Sequence, residues 1–340
     1  MRAPRFWWFS KKSLPALLLS PCAAIYRTIV HRRLKQKGEK VSIPVLCVGN
    51  FIVGGAGKTP TAIALKQILQ EQGYQCAFLS RGYGGNLSGP VLVDAKQHNA
   101  RDVGDEPLLL CEYGMTIVSR NRLEGARFCE KNGAELIIMD DGMQNPSLHK
   151  DIVLAVTDSR GIGNGLCLPA GPLRADIEVQ LRNVDAIIAV DRGQNEYVFK
   201  DLTVFKNHPR FMAKIIPDRS AAEQIRGKRI IVIAGIGNPA KFHETLKQCG
   251  AHIAKHYDFA DHHPFSLSEL QKIMEEAEKE SCPVYTTTKD YVRMKSVSGF
   301  QTLKDRIMPF PVELVFYEQK EFLDFLLKKI DEKCRDRLKP

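Results

Sequence analysis

From about residue 41 onward, short apolar runs alternate with stretches whose apolar residues recur at helical spacing. "IPVLCVGN", "QCAFLS", "MTIVS", "ELIIMDDG", "DIVLAVTD" and "VDAIIAVD" are too short and too continuously apolar to be amphipathic helices, and they read as buried strands. "TPTAIALKQILQEQG", "EPLLLCEYG" and "RLEGARFCEKNG" carry the helical period between them. This alternation predicts an α/β fold of the P-loop NTPase type, with a parallel sheet and helices on both faces. Near residue 201 the pattern changes to "LTVFKN" and "RFMAKIIPD", two extended runs with no helix between them. The expected organisation is an N-terminal arm (1–40), a P-loop domain (41–200), a linker of paired strands (201–222) and a second, smaller α/β domain (223–340). The smaller domain opens with "KRIIVIAGIGNP" and closes with "PVELVF" and the helix "EFLDFLLKKIDEKC". Its "GIGNP" lacks the third glycine of a dinucleotide fingerprint and reads as a structural turn.

The first strand leads into "GNFIVGGAGKTP" (49–60), which misses the strict phosphate-loop template, because Ile52 stands where the first glycine belongs. What phosphate oxygens require is a concavity of backbone N–H groups, a cation and a helix N-terminus. Gly54, Gly55 and Gly57, with Ala56 among them, promise positive φ and close approach. Lys58 supplies the cation, Thr59 a hydroxyl, and Pro60 suits a first helical turn. A bare glycine turn would have no need of Lys-Thr at its exit, so 54–60 is expected to bind nucleotide.

Composition is ordinary for a globular chain of 340 residues, but the net charge of +10 is not. Residues 1–40 hold ten Lys or Arg against one acid, Glu39, so nine of the ten net charges lie in the arm. A nearly neutral body argues against a nucleic-acid partner. "FWWF" and "SLPALLLSPCAAIYRTIV" between basic flanks suit a helix lying on an anionic membrane surface. Pro15, Pro21 and Arg27 argue against a spanning helix. A secretory signal is the competing reading of the arm, and an internal ATP site speaks against export. Nine cysteines without metal spacing read as reduced thiols.

"LIIMDDGMQN" puts Asp140 and Asp141 at the C-terminal end of a buried strand, where an acid of a P-loop enzyme holds Mg²⁺ together with the loop threonine, here Thr59. "SRGYGG" places Arg81 and Tyr83, and "SRNR" places Arg120 and Arg122, on the same sheet edge, where guanidinium groups suit phosphate. In "RDVGDEP", Asp105 is a candidate base for an alcohol, with helix capping as the rival explanation and the better one from this segment alone. "DFADHHPF" offers Asp261, His262 and His263 from the second domain, where a histidine pair is more often structural. A carboxylate of one domain oriented by a histidine of the other would make chemistry depend on domain closure.

Taken in order behind a basic arm, "VGNFIVGGAGKTP", "SRGYGG", "VGDEP", "DDGMQ", "LPAGPLR" and "DHHPF" resemble the tetraacyldisaccharide 4′-kinase family of lipid A synthesis. The resemblance covers most of the chain, and the final 60 residues carry little of it. It implies transfer of the ATP γ-phosphate, with Mg²⁺, to the 4′-hydroxyl of a lipid disaccharide 1-phosphate at the cytoplasmic face of the inner membrane, with no obligatory protein partner. It implies a catalytic acid at Asp105, its partner at His262, and Lys58 bridging the β- and γ-phosphates. Thr59 with Asp140 and Asp141 would serve the metal, and Arg81, Tyr83, Arg122, Gln144 and Arg174 would contact substrate or phosphate. One departure stands out: the family's glutamate after "GPLR" is Ala175 here, with Asp176 one position later.

Rival readings are a nucleotide-hydrolysing metallochaperone or targeting factor, a nucleic-acid-linked ATPase and a soluble small-molecule kinase. The neutral body disfavours the second, and the third leaves the arm without a purpose.

Overall fold

The computed structural model describes residues 3–9, 13–191 and 204–338. Each of the six apolar runs of the first domain forms a strand, β1 (Val45–Gly49), β2 (Cys76–Ser80), β4 (Thr116–Val118), β5 (Leu136–Asp140), β6 (Ile152–Thr157) and β7 (Ala186–Asp191), and the two-residue β3 (Val91–Leu92) is an unexpected addition. With β8 (Arg210–Pro217) and β13 (Val312–Phe316) they build a nine-stranded sheet in the order β13-β8-β7-β6-β1-β5-β2-β4-β3. Pairing is parallel except at the two edges, where β3 and β13 run antiparallel to their neighbours. Strand alternation sends Leu46 and Val48 to one face, beneath Leu65 and Leu69 of the helix Lys58–Glu71. Val45 and Cys47 go to the other, with Ala126 and Cys129 of the helix Arg122–Lys131.

β9 (Arg229–Ala234), β10 (His252–Asp258), β11 (Val284–Thr287) and β12 (Ile307–Phe310) form a separate parallel sheet in the order β10-β9-β11-β12. It has its own core on each face.

Two expected boundaries are corrected. The supposed linker is not a pair of strands: Leu202 and Thr203 lie outside the described residues, and 204–207 is a tight helical turn. Arg210–Pro217 is itself a strand of the large sheet, paired with β7. The smaller domain also ends earlier than expected. β13 pairs with β8, and Phe322, Leu326 and Ile330 of the helix Gln319–Leu338 are buried in the core of the first domain. That helix needs a sheet face for its apolar stripe, and the large sheet provides it.

In the arm, Leu14–Leu34 forms one continuous helix of 21 residues, so the prolines do not interrupt it. Pro15 sits in the first turn, where its missing N–H is no loss. By length and composition alone this helix is long and apolar enough to cross a membrane, contrary to the expectation from its prolines. Leu14, Leu17, Leu18, Ile25 and Ile29 are exposed and, at the α-helical period, share an arc of about 120°. Ala16 and Ala23 are buried on the opposite side. Ala16 and Ala23 thus face the protein together with Tyr26, which packs against its core, while the bulky arc faces outward. The arm is tied down by Trp7 Nε1 donating to the Pro169 carbonyl (3.0 Å) and Tyr26 Oη donating to the Arg174 carbonyl (3.1 Å).

Candidate active site

The loop after β1 departs from the template for a packing reason. Ile52 is buried and bridges Leu173, so a core side chain fills the place of the template's glycine. Gly54 and Gly57 have φ of 101° and 99°, values a side chain would strain, and Gly57 caps the helix Lys58–Glu71. Gly55, expected to be similar, does not adopt positive φ; its carbonyl accepts a hydrogen bond from Arg160. Ala56 is fully buried, and Pro60 stands within the first turn, where no intrahelical donor is lost. Lys58 Nζ reaches Asn50 Oδ1 and the Gly54 carbonyl, each at 3.4 Å, and Asp141 at 3.7 Å.

The two aspartates after β5 differ. Asp141, at φ 51°, accepts a two-pronged pair from Arg174 at 2.6 and 3.0 Å. Burial acts upward on its carboxyl, yet Lys58 and Arg174 overcome it and keep its pKa below the usual range. Asp140 is buried; its Oδ2 lies 3.5 Å from Thr59 Oγ1 and its Oδ1 has no partner. Burial first, then the charges of Glu106 and Asp141, push its pKa up. An orphaned carboxylate oxygen beside a hydroxyl is the hard donor set that Mg²⁺ favours, and Asp140 with Thr59 fits it better than Asp141 does.

Arg174 also donates to the Ile52 carbonyl (3.1 Å) and to Gln144 Oε1 (3.2 Å). Gln144 Nε2 donates to the Asn50 carbonyl (2.9 Å) and to Gln180 (2.8 Å). Both side chains, expected to contact substrate, are tied to the backbone around the phosphate loop. At the place of the family's glutamate, Ala175 is buried, and the carboxylate of Asp176, one position later, lies 3.6 Å from Arg27 of the arm.

Arg122 is buried with Nε unpartnered. Burial, and after it the charge of Arg81, bring its pKa down to about 10. Arg120 instead holds the "SRGYGG" loop through the Gly85 and Asn86 carbonyls. Tyr83 is exposed, its ring 6.4 Å from that of His262.

Asp105 begins the helix Asp105–Cys111 but makes no capping hydrogen bond. Capping in this segment falls to Asn99 and Asp102, which form a reciprocal box. Asp105 Oδ2 instead receives His262 Nδ1 at 2.8 Å from the smaller domain and Arg293 Nε at 3.0 Å, and the terminal nitrogen Nη2 of Arg293 lies 2.8 Å away as an ion-pair contact. Burial pushes the Asp105 carboxyl up, but the hydrogen bonds from His262 and Arg293 outweigh it and hold the pKa down at about 2. Asp105 is therefore ionised throughout the physiological range. Arg293 is itself fixed by the fully buried Asp290 at 2.9 Å. His262 has φ 60° and its N–H bonds to the Gly235 carbonyl, which aims the ring across the domain boundary. His263 faces Glu269 and stacks on Phe259, a structural role. Arg293, Asp290 and Arg160 were not predicted. "TTKDYVRMK" reads as an ordinary capped helix with an i, i+3 ion pair, and nothing in it signals that Arg293 reaches another domain.

The family model for tetraacyldisaccharide-1-P 4′-kinase matches residues 15–331. The chain belongs to this family. Proteins named tetraacyldisaccharide 4′-kinase are similar over nearly their whole lengths: one from Rhodopseudomonas palustris strain BisB5 is 42% identical, covering 98% of each chain. Another, from Methylobacterium nodulans, is 46% identical over 94% of this chain and 93% of its own. A crystal structure of LpxK from Aquifex aeolicus in complex with ATP matches with a TM-score of 0.70 at 20% identity, covering 93% of this chain and 99% of that one, a likeness of fold. The kinase family membership leaves the metallochaperone-type alternative unfavoured.

Proposed function

We propose that the protein transfers the γ-phosphate of ATP to the 4′-hydroxyl of tetraacyldisaccharide 1-phosphate, the reaction its family is named for, at the cytoplasmic face of a bacterial inner membrane. The observation that carries the residue assignment is Asp105: a carboxylate held ionised by His262 and Arg293, both on Oδ2, with no side-chain hydrogen bond to Oδ1 among the described residues. The charge of Glu106, the next residue, raises the pKa of Asp140, which supports a crevice shared by the pair and the phosphate loop.

In this reading the loop N–H groups of 54–59 and Lys58 bind the β- and γ-phosphates. Arg81 and Arg122 hold an anionic oxygen that relieves their mutual repulsion. Asp140 and Thr59 would hold Mg²⁺, which when bound would offset charge on the phosphate oxygens. Arg174 and Gln144 position the loop. Asp105 Oδ1 accepts a hydrogen bond from the 4′-hydroxyl. As the acceptor oxygen bonds to γ-phosphorus, the bond from γ-phosphorus to the bridging oxygen breaks, ADP leaves with that electron pair, and the hydroxyl proton passes to Asp105. A weak base suffices because the transition state is loose and the proton becomes acidic only late. His262 orients the carboxylate and ties chemistry to domain closure. The outward apolar face of Leu14–Leu34 and the basic residues of the arm rest on the anionic membrane, beside the lipid.

The test is an assay with γ-labelled ATP offering the lipid disaccharide or water alone as acceptor. Label appearing in the lipid at the 4′ position supports the proposal; label released only as inorganic phosphate refutes it.

A further inference from the structure

The edge strand of the smaller sheet carries a side-chain cluster that phosphotransfer does not use. His256 and Asp258, two residues apart on β10, share one face of the strand. The helix Pro239–Gln248 brings His243 against them. His243 Nε2 lies 3.0 Å from one oxygen of Asp258, His256 Nδ1 lies 3.2 Å from the other, and the imidazole centroids are 4.7 Å apart. One ligand atom from each of the three falls within 4.8 Å of the others. His243 Nε2 is sealed from solvent, yet despite its 3.0 Å approach it is off the line an N–H···O bond needs and makes none.

We propose that His243, His256 and Asp258 bind a divalent transition-metal ion of the Zn²⁺ class. Two imidazoles and one carboxylate suit such an ion, whereas Mg²⁺ and Ca²⁺ prefer oxygen alone. Bonds of about 2.0–2.1 Å in a tetrahedral site set ligand atoms roughly 3.3 Å apart. Each nitrogen is already near that spacing from an oxygen of Asp258, though from a different oxygen, so the carboxylate has to turn one oxygen towards both nitrogens as these close on each other. His256 and Asp258 are exposed, which leaves an entry path and a fourth position for water.

The site's place in the fold gives it a consequence. Asp258 ends β10 four residues before His262, and His243 lies on the helix that follows the 235–238 turn, whose Gly235 carbonyl receives the His262 N–H. An ion joining strand and helix clamps both sides of the segment that delivers His262 to Asp105. Metal occupancy thereby adjusts turnover through the position of His262.

The test uses full-length protein stripped of metal and titrated with Co²⁺, then Zn²⁺, without nucleotide. A saturable tetrahedral Co²⁺ spectrum free of a thiolate charge-transfer band, displaced by Zn²⁺, is expected. Affinity should fall tenfold or more in His243→Gln and in the exposed His256→Gln, with both variants folded by thermal melts and as active as wild type in metal-stripped, Mg²⁺-replete assays. Added Zn²⁺ should change the turnover of wild type and of neither variant. No saturable spectrum, a thiolate band, or binding unchanged in both variants overturns the site, and binding without any change in turnover overturns the clamp.

Discussion

Asp105 and His262 are 157 positions apart in the chain and come from different domains, yet His262 Nδ1 stands 2.8 Å from Asp105 Oδ2. The same oxygen receives Arg293. One carboxylate thus joins the phosphate-loop domain to the smaller domain.

That junction bears on stability. Arg293 is buried between Asp105 and Asp290, and truncating one member of a buried charged group leaves the others unpaired, typically costing about 3–5 kcal/mol. Arg293→Ala should lower the unfolding free energy obtained from urea titration by an amount in that range. The Asp105 pKa in the folded protein, about 2, lies below its unfolded value of roughly 3.9. Its stabilising contribution, about 2 kcal/mol, is therefore complete above the unfolded value and is lost as pH falls from about 4 towards 2. Melts of wild type and Asp105→Asn across that window should converge at the acid end; parallel curves would contradict the assignment.

Asp140 carries the opposite sign. Its folded pKa is raised by burial, so the native state holds a proton that the unfolded chain gives up, and stability falls as pH rises between the unfolded and folded values. Asp140→Asn should melt higher than wild type at pH 8 without Mg²⁺, with little difference at pH 4. It should also lose most of its turnover with Mg²⁺ present. A variant that melts no higher and turns over normally would remove Asp140 from the metal site.

Much of this was legible in the sequence, because strand–helix alternation and the loop 54–60 are local signals. Asp105 is instructive: its segment alone favours capping, and only contact with His262 and Arg293 gives the side chain another task. Arg293 was illegible for the same reason, since its partner lies 188 positions away. The fate of β13 was missed because "PVELVF" has the same pattern whichever sheet it joins. Asp140 and Asp141 are adjacent and chemically identical, and only the reach of Arg174 separates their roles.

Lys58→Ala should abolish turnover in a folded protein, since loss of a transition-state charge contact costs ~3 kcal/mol or more. Single-turnover rates and a thermal melt check it. Near wild-type turnover would remove Lys58 from the phosphate site.

Removing residues 1–36 takes away the exposed apolar face and the anchoring contacts of Trp7 and Tyr26. KM for the lipid should rise more than KM for ATP. Sedimentation of the intact protein with anionic vesicles should weaken as salt screens charges beyond about 8 Å. Truncated protein that still sediments would place the anchor elsewhere.

The most direct measurement is a double-mutant cycle on Asp105 and His262 by single-turnover kinetics with saturating ATP. If the two act as one unit, Asp105→Ala and His262→Ala each lower the rate by on the order of 10²-fold or more, the double variant is little slower than Asp105→Ala, and ATP affinity survives in all three. Small losses that simply add in the double variant would contradict the account.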